Sequence, residues 1–190
     1  MARFSFRPTL SMRGRKFKGL RGWAGKPLHP SLTDVPITAY LLAALFDVVS
    51  VAGGRSHGWA HELWHGGTFC FVVGAGVSVL AALTGLWDAW KSSEAGTQAR
   101  RTINAHALIM VTVTVLALGD VAWRIAEYHA DVVTPVGIMV LSLVVAGLVS
   151  LGATYGGTLV YDYGFNVETA GDSPVWHVSD VDVLPGHPDH

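Results

Sequence analysis

Long apolar runs separated by short polar interruptions dominate the chain. Four of them are long enough to cross a bilayer, which takes about 20 mostly apolar residues in a helix. They run from Val35 to Gly54, Leu63 to Trp87, Thr102 to Gly119 and Val132 to Tyr161. The first is interrupted only by Asp47, and the other three contain no Lys, Arg, Asp or Glu. Pro36 stands near the start of the first run, where a missing N–H costs little. The fourth run exceeds one crossing, and Gly156-Gly157 marks Tyr155 to Tyr161 as the place where it emerges or bends. A soluble bundle of all-apolar core helices is excluded, because no amphipathic helices remain to shield four such segments. The pattern predicts an all-α, polytopic integral membrane four-helix bundle with up-and-down topology.

Composition agrees. Hydrophobic residues make up 51% and charged residues 14% of the 190, with a mean hydropathy of +0.40; soluble domains carry about 25% charged residues. The 13 Lys and Arg nearly cancel the 14 Asp and Glu, so nucleic-acid binding driven by bulk charge is excluded. A single cysteine, Cys70, excludes an internal disulfide framework and a multi-cysteine zinc site.

The basic residues are distributed unevenly, and this sets the expected orientation. Arg3, Arg7, Arg13, Arg15, Lys16, Lys18, Arg21 and Lys26 precede the first run, and Lys91, Arg100 and Arg101 lie between the second and third. Only Arg55 and Arg124 fall on the other side. The positive-inside rule then places both termini in the cytoplasm. Trp64, Trp87, Trp90, Trp123, Tyr155 and Tyr161 stand near run ends, where interfacial aromatic residues belong.

Three segments follow: a basic arm over residues 1–30, a membrane domain over 31–161 and an acidic tail over 162–190. The arm has no apolar core of the kind a cleavable signal peptide needs. It mixes cations with Phe4, Phe6, Phe17 and Trp23, which suits a segment resting on anionic lipid. The tail holds Asp162, Glu168, Asp172, Asp180, Asp182 and Asp189 without a Lys or Arg, so it either docks on the arm or a basic partner, or simply solvates that end. No internal repeat is evident. Close helix packing is expected along Gly74, Ser78 and Ala82 in the second run, and along Ala146 and Ser150, then Ala153 and Gly157, in the fourth.

Several ordered motifs give the chain a likeness. His29-Pro30 precedes Val35-Pro36-Ile37 and Leu45-Phe46-Asp47; Leu83-Thr84-Gly85-Leu86-Trp87-Asp88 closes the second run; Asn104-Ala105-His106 opens the third. Gly156-Gly157-Thr158-Leu159-Val160-Tyr161 and Gly164 follow the fourth. In these the chain resembles the domain-of-unknown-function 2231 family of small bacterial membrane proteins, over roughly residues 27 to 167. The resemblance implies a four-helix integral membrane protein without an assigned reaction. Some relatives are joined to Rieske-type iron–sulfur domains, which points towards electron transport; this sequence carries no such domain.

Three constellations carry candidate chemistry. The first joins His29, Asp88 and His106 on the cytoplasmic side. A b-type haem across a four-helix bundle needs two imidazoles from different segments at similar depth, and an adjacent carboxylate such as Asp88 can orient one ring. The plainer reading has His106 capping or hydrogen-bonding near Asp88 and His29 in an interfacial turn. The second constellation is His61-Glu62-Leu63-Trp64-His65, an H-E-x-x-H pattern that sets two imidazoles on one helix face beside a general base, the signature of zinc hydrolases. His57 extends that face if the helix starts before Gly58; His57, Asp120, Glu127 and His129 are the candidate third ligands. A short outer loop, however, hardly builds a protease cleft. The third constellation comprises the intramembrane acids Asp47 and Asp120. Asp120 and Arg124 stand at i, i+4 and can pair; Asp47 lacks a local partner and either hydrogen-bonds across the bundle or takes part in proton movement. The tail histidines His177, His187 and His190 add nothing to these groups. No P-loop, dinucleotide fold or serine nucleophile is recognisable.

The expected function is a non-enzymatic membrane subunit or anchor, with haem b between His29 and His106 as its sharpest form. It would sit among lipids and respiratory or other membrane-complex subunits, and could oligomerise. The alternatives are a zinc-dependent metallohydrolase through His61, Glu62 and His65, and a scaffold that recruits a soluble partner through arm and tail.

Overall fold

A computed structural model describes residues 19–22 and 25–167. The basic positions up to Lys18, the aromatic residues Phe4, Phe6, Phe17 and Trp23, and the tail beyond Val167 lie outside the described residues. Four helices follow one another: α1 (Leu28–Gly53), α2 (Gly58–Ser92), α3 (Gln98–Glu127) and α4 (Val136–Gly157). A π-helical turn, Thr158–Asp162, continues α4. All four are long and apolar enough to cross a membrane.

The helices overrun the apolar runs because hydropathy ends where side chains turn polar, whereas a helix ends where its backbone is capped. α1 thus begins at Leu28 and takes His29 and Pro30 out of the arm. Pro36 consequently lies inside the helix and is buried there, where it gives up one backbone hydrogen bond. Gly54 closes α1 with φ 64°, its N–H donating to the carbonyls of Ser50 and Val51; a positive φ of this kind favours glycine. Thr97 caps α3 by accepting the N–H of Arg100 at 3.1 Å. α4 starts at Val136 rather than Val132, since Pro135 sets the boundary. The fourth run does change geometry after Gly157, by widening into the π turn.

Each helix packs on its chain neighbours, and α1 closes on α4. α1 and α3 therefore face each other diagonally, as do α2 and α4. Tyr40, Phe71, Val113, Val145 and Val149 fill the centre without exposure. Leu45, Phe69, Leu83, Leu108, Val115 and Ile125 are each more than half exposed and form the outer surface. In water such a surface would be a liability; in lipid it is the solvated face.

Small residues bring α1 and α2 together. A Cβ on Gly74 would lie 2.9 Å from Tyr40 Cε1 and 3.0 Å from Ala39 Cβ, and the Tyr40 hydroxyl donates to Ser78 Oγ at 3.1 Å. The seam on α4 differs from the expected one. Ser150 points outward and bonds its own helix at Ala146, while Gly152 takes the close contact, with a Cβ there 2.4 Å from Met110 Sδ. Hydropathy cannot tell these adjacent faces apart, because both are apolar.

Gly74→Leu should destabilise the bundle by about 1–3 kcal/mol through overpacking, lowering the thermal midpoint in detergent. Gly76→Leu, at a position with nothing within 4 Å of a Cβ, should melt like the wild type.

Candidate functional site

The bundle carries polar groups at its two ends. At the end formed by the start of α1 and the end of α4, His29 (α1), Gly85 and Asp88 (α2), His106 (α3) and Gly156 (α4) line one cavity of about 430 Å³. That size lies in the range of cofactor and ligand sites, about 300–1,000 Å³. Ile37, Met110 and Leu159 make much of its wall apolar.

Both histidines are held in the same way. His29 Nδ1–H donates to the Ala81 carbonyl at 2.8 Å, and His106 Nδ1–H donates to the Gly152 carbonyl at 2.9 Å. A carbonyl only accepts, so each ring is fixed with its proton on Nδ1 and a lone pair on Nε2. The accepting carbonyls precede glycines by four residues: Ala81 and Gly85, Gly152 and Gly156. A Cβ on Gly85 would fall 2.6 Å from His29 Cε1, and one on Gly156 would fall 3.2 Å from His106 Cε1. The glycines therefore let each ring lie against the helix that holds it. The ring centroids are 6.4 Å apart with planes at 81°.

The carbonyls, rather than Asp88, orient the rings. Asp88 is buried, and its Oδ1 accepts the Leu20 N–H at 3.0 Å, tying the segment before α1 to the end of α2.

At the opposite end the interior is ionic. Asp47, Asp120 and Arg124 have no exposure. Arg124 Nε pairs with Asp120 Oδ1, the expected i, i+4 contact. Its Nη1 and Nη2 grip both oxygens of Asp47 on the diagonal helix. Asp47 also accepts from Thr134 Oγ1 at 3.1 Å and from Ser142 Oγ at 2.5 Å. Thr68 Oγ1 of α2 lies 3.5 Å from Arg124 Nη1. Next to this cluster, Ser50 Oγ donates to the Ala60 carbonyl at 2.6 Å and accepts the Thr134 N–H at 3.1 Å. All four helices and the α3–α4 connection meet here. A Cβ on Gly67 would stand 3.1 Å from Asp47 Oδ1, so a larger residue there would press on that carboxylate.

The H-E-x-x-H histidines sit at this same end, outside the ionic cluster. The His61 and His65 rings are 4.1 Å apart, and His65 stacks on Tyr128 at 4.4 Å and 17°. His61 Nδ1 bonds the Val132 carbonyl, and Glu62 is exposed. α2 starts at Gly58, so His57 precedes it in extended backbone, with Nδ1 on the Gly53 carbonyl at 2.7 Å, and does not extend the helical face. Among the described residues no group of three or more His, Cys, Asp or Glu is placed to hold a metal ion. Of the candidate third ligands, Asp120 is paired with Arg124, and the His129 ring lies edge-on to Tyr128.

Ser50, Thr68, Thr134 and Ser142 escape a sequence reading, since a hydroxyl in an apolar helix usually bonds its own backbone. One signal does point to the pairing. Eighteen residues separate His29 from Asp47 and His106 from Arg124, about five turns or 27 Å, which sets each pair on one helix face. The same offset of 77 residues carries His29 to His106 and Asp47 to Arg124. On the partner helices an offset of 71 carries Ala81 to Gly152 and Gly85 to Gly156. The two hairpins thus place their histidines, and the members of the ion pair, at equal spacing along diagonal helices.

Over residues 25–169 the chain matches the model of a family described as predicted membrane protein (DUF2231). It belongs to that family. The matched region takes in both ends of this DUF2231 bundle and leaves out most of the arm and tail. No curated protein and no solved structure matches the chain.

Arg124→Ala removes the cation that the two buried acids share and should cost about 3–5 kcal/mol. Asp47→Ala should cost a similar amount, and Arg55→Ala, which removes a half-exposed pair with Asp131, under about 1 kcal/mol. Chemical denaturation in mixed micelles checks the order.

Proposed function

We propose that this DUF2231 protein is a membrane b-haem protein, holding one haem between His29 and His106 and serving as an electron-carrying subunit or anchor of a membrane assembly. One observation carries the proposal: two imidazoles on diagonal helices, each pinned through Nδ1, present Nε2 lone pairs within one largely apolar cavity. With ring centroids 6.4 Å apart, His29 and His106 are close enough that both would hold one haem, through their Nε2 atoms. A bare ion would want more than two protein ligands, and among the described residues no group of three or more His, Cys, Asp or Glu is placed to hold one; a porphyrin brings its own four nitrogens. Bound there, haem would supply a one-electron couple. The chain's own part is to fix the two tautomers, to keep Gly85 and Gly156 out of the rings' way and to hold water away with Ile37, Met110 and Leu159.

The arrangement of charge supports a bacterial inner membrane with the haem end towards the cytoplasm. Lys91, Arg100 and Arg101 stand at that end, along with Arg21 and Lys26 before α1. At the other end Arg124 is consumed inside the bundle and Arg55 is paired with Asp131, so little positive charge is presented there.

Protein purified in detergent from haem-replete cells should show a Soret band and one haem per chain. His29→Ala and His106→Ala should each abolish the low-spin spectrum, and Gly85→Leu should weaken binding by displacing the His29 ring. A wild-type chain that stays colourless after incubation with haemin would refute the proposal.

A further inference from the structure

The ionic cluster at the distal end does not balance. Asp47, Asp120 and Arg124 are all without exposure; two carboxylates and one guanidinium would leave a net negative charge in an interior that excludes water. An uncompensated buried charge is among the costliest features a protein can hold, and two acids sharing one cation do not both ionise readily.

The two acids are not equivalent. Asp47 accepts from both terminal nitrogens of Arg124, from Thr134 and from Ser142, so both its oxygens are supplied with donors. Asp120 receives only Arg124 Nε, on Oδ1. Its Oδ2 is buried without a hydrogen-bond partner. Among the described residues no second cation pairs with it: α1 contributes Asp47 and the Tyr40 phenol, whose hydrogen goes to Ser78, and α3 contributes Arg124 itself. α2 contributes Thr68 and Trp64, and α4 contributes Ser142. The guanidinium carbon lies 4.6 Å from the centre of the Phe71 ring and 5.4 Å from that of Trp64, so aromatic faces cover the cation as well.

We propose that Asp120 is a proton-binding site inside the membrane: Oδ2 carries a proton drawn from water, the O–H bond makes the acid neutral, and Asp47 with Arg124 is left as a balanced pair. A proton fits where a metal cation does not. The guanidinium already occupies the space between the two carboxylates and would repel a second cation, whereas a proton adds no volume. Loss of that proton to water would return one negative charge to the cluster, so occupancy of Oδ2 sets the charge of the distal interior. This inference is independent of haem.

Infrared spectroscopy on the full chain in lipid at neutral pH tests it. The wild type should show the carbonyl stretch of a neutral carboxylic acid, and Asp120→Asn should lose it. Because an amide imitates a neutral acid in shape and charge, Asp120→Asn should also melt close to the wild type. Exchanging potassium for sodium at constant ionic strength should leave the midpoint unchanged. Absence of the band in the wild type, its survival in Asp120→Asn, or a marked loss of stability in that variant overturns the proposal. A midpoint that rises with sodium overturns it too, in favour of a bound sodium ion.

Discussion

The bidentate pairing of Arg124 with Asp47 is the contact on which the bundle turns. α1 and α3 are diagonal and share little backbone contact, so their relative position depends on what side chains place between them. In lipid an apolar side chain gains little by leaving the hydrocarbon for a protein interior, and helices associate through close packing and polar bonds. A guanidinium with its carboxylates has no comparable option. Left in hydrocarbon each charge is prohibitively costly, and together, with Thr134 and Ser142 saturating Asp47, they are tolerable. Closing the bundle is what brings them together.

The opposite end solves a different problem with less material. There the diagonal helices meet through two imidazoles and a cavity instead of an ion pair. Each ring is gripped by a helix carbonyl, with a glycine one turn further on making room. One end therefore locks the helices, while the other holds a space open between them. The π turn after α4 widens the backbone beside that space, with Leu159 and Tyr161 on its wall; such turns are frequent at functional sites.

Much of this was legible beforehand. The count of helices, their order and their membrane character follow from apolar runs free of charge, because the bilayer leaves a hydrophobic stretch of that length few alternatives. The pairing of Asp120 with Arg124 follows from their spacing, and His29, Asp88 and His106 were expected at one end together. The partner of Asp47 was not expected, because a diagonal contact between residues 77 apart leaves no local trace. The orienting carbonyls of Ala81 and Gly152 carry no side-chain signature at all. The H-E-x-x-H pattern was legible in part: its spacing does set the His61 and His65 rings side by side, but α2 starts too late for His57 to extend that face.

The matched offsets have a consequence for how such a bundle can be assembled. A self-complementary dimer of one hairpin would bring identical residues face to face across its axis: two imidazoles at one end, which suits a shared ligand, but two acids or two bases at the other, which repel. Covalent union of two non-identical hairpins lets like meet like in one layer and opposite meet opposite in the next. The single polypeptide is thus what permits a heteropolar lock beneath a homotypic pair.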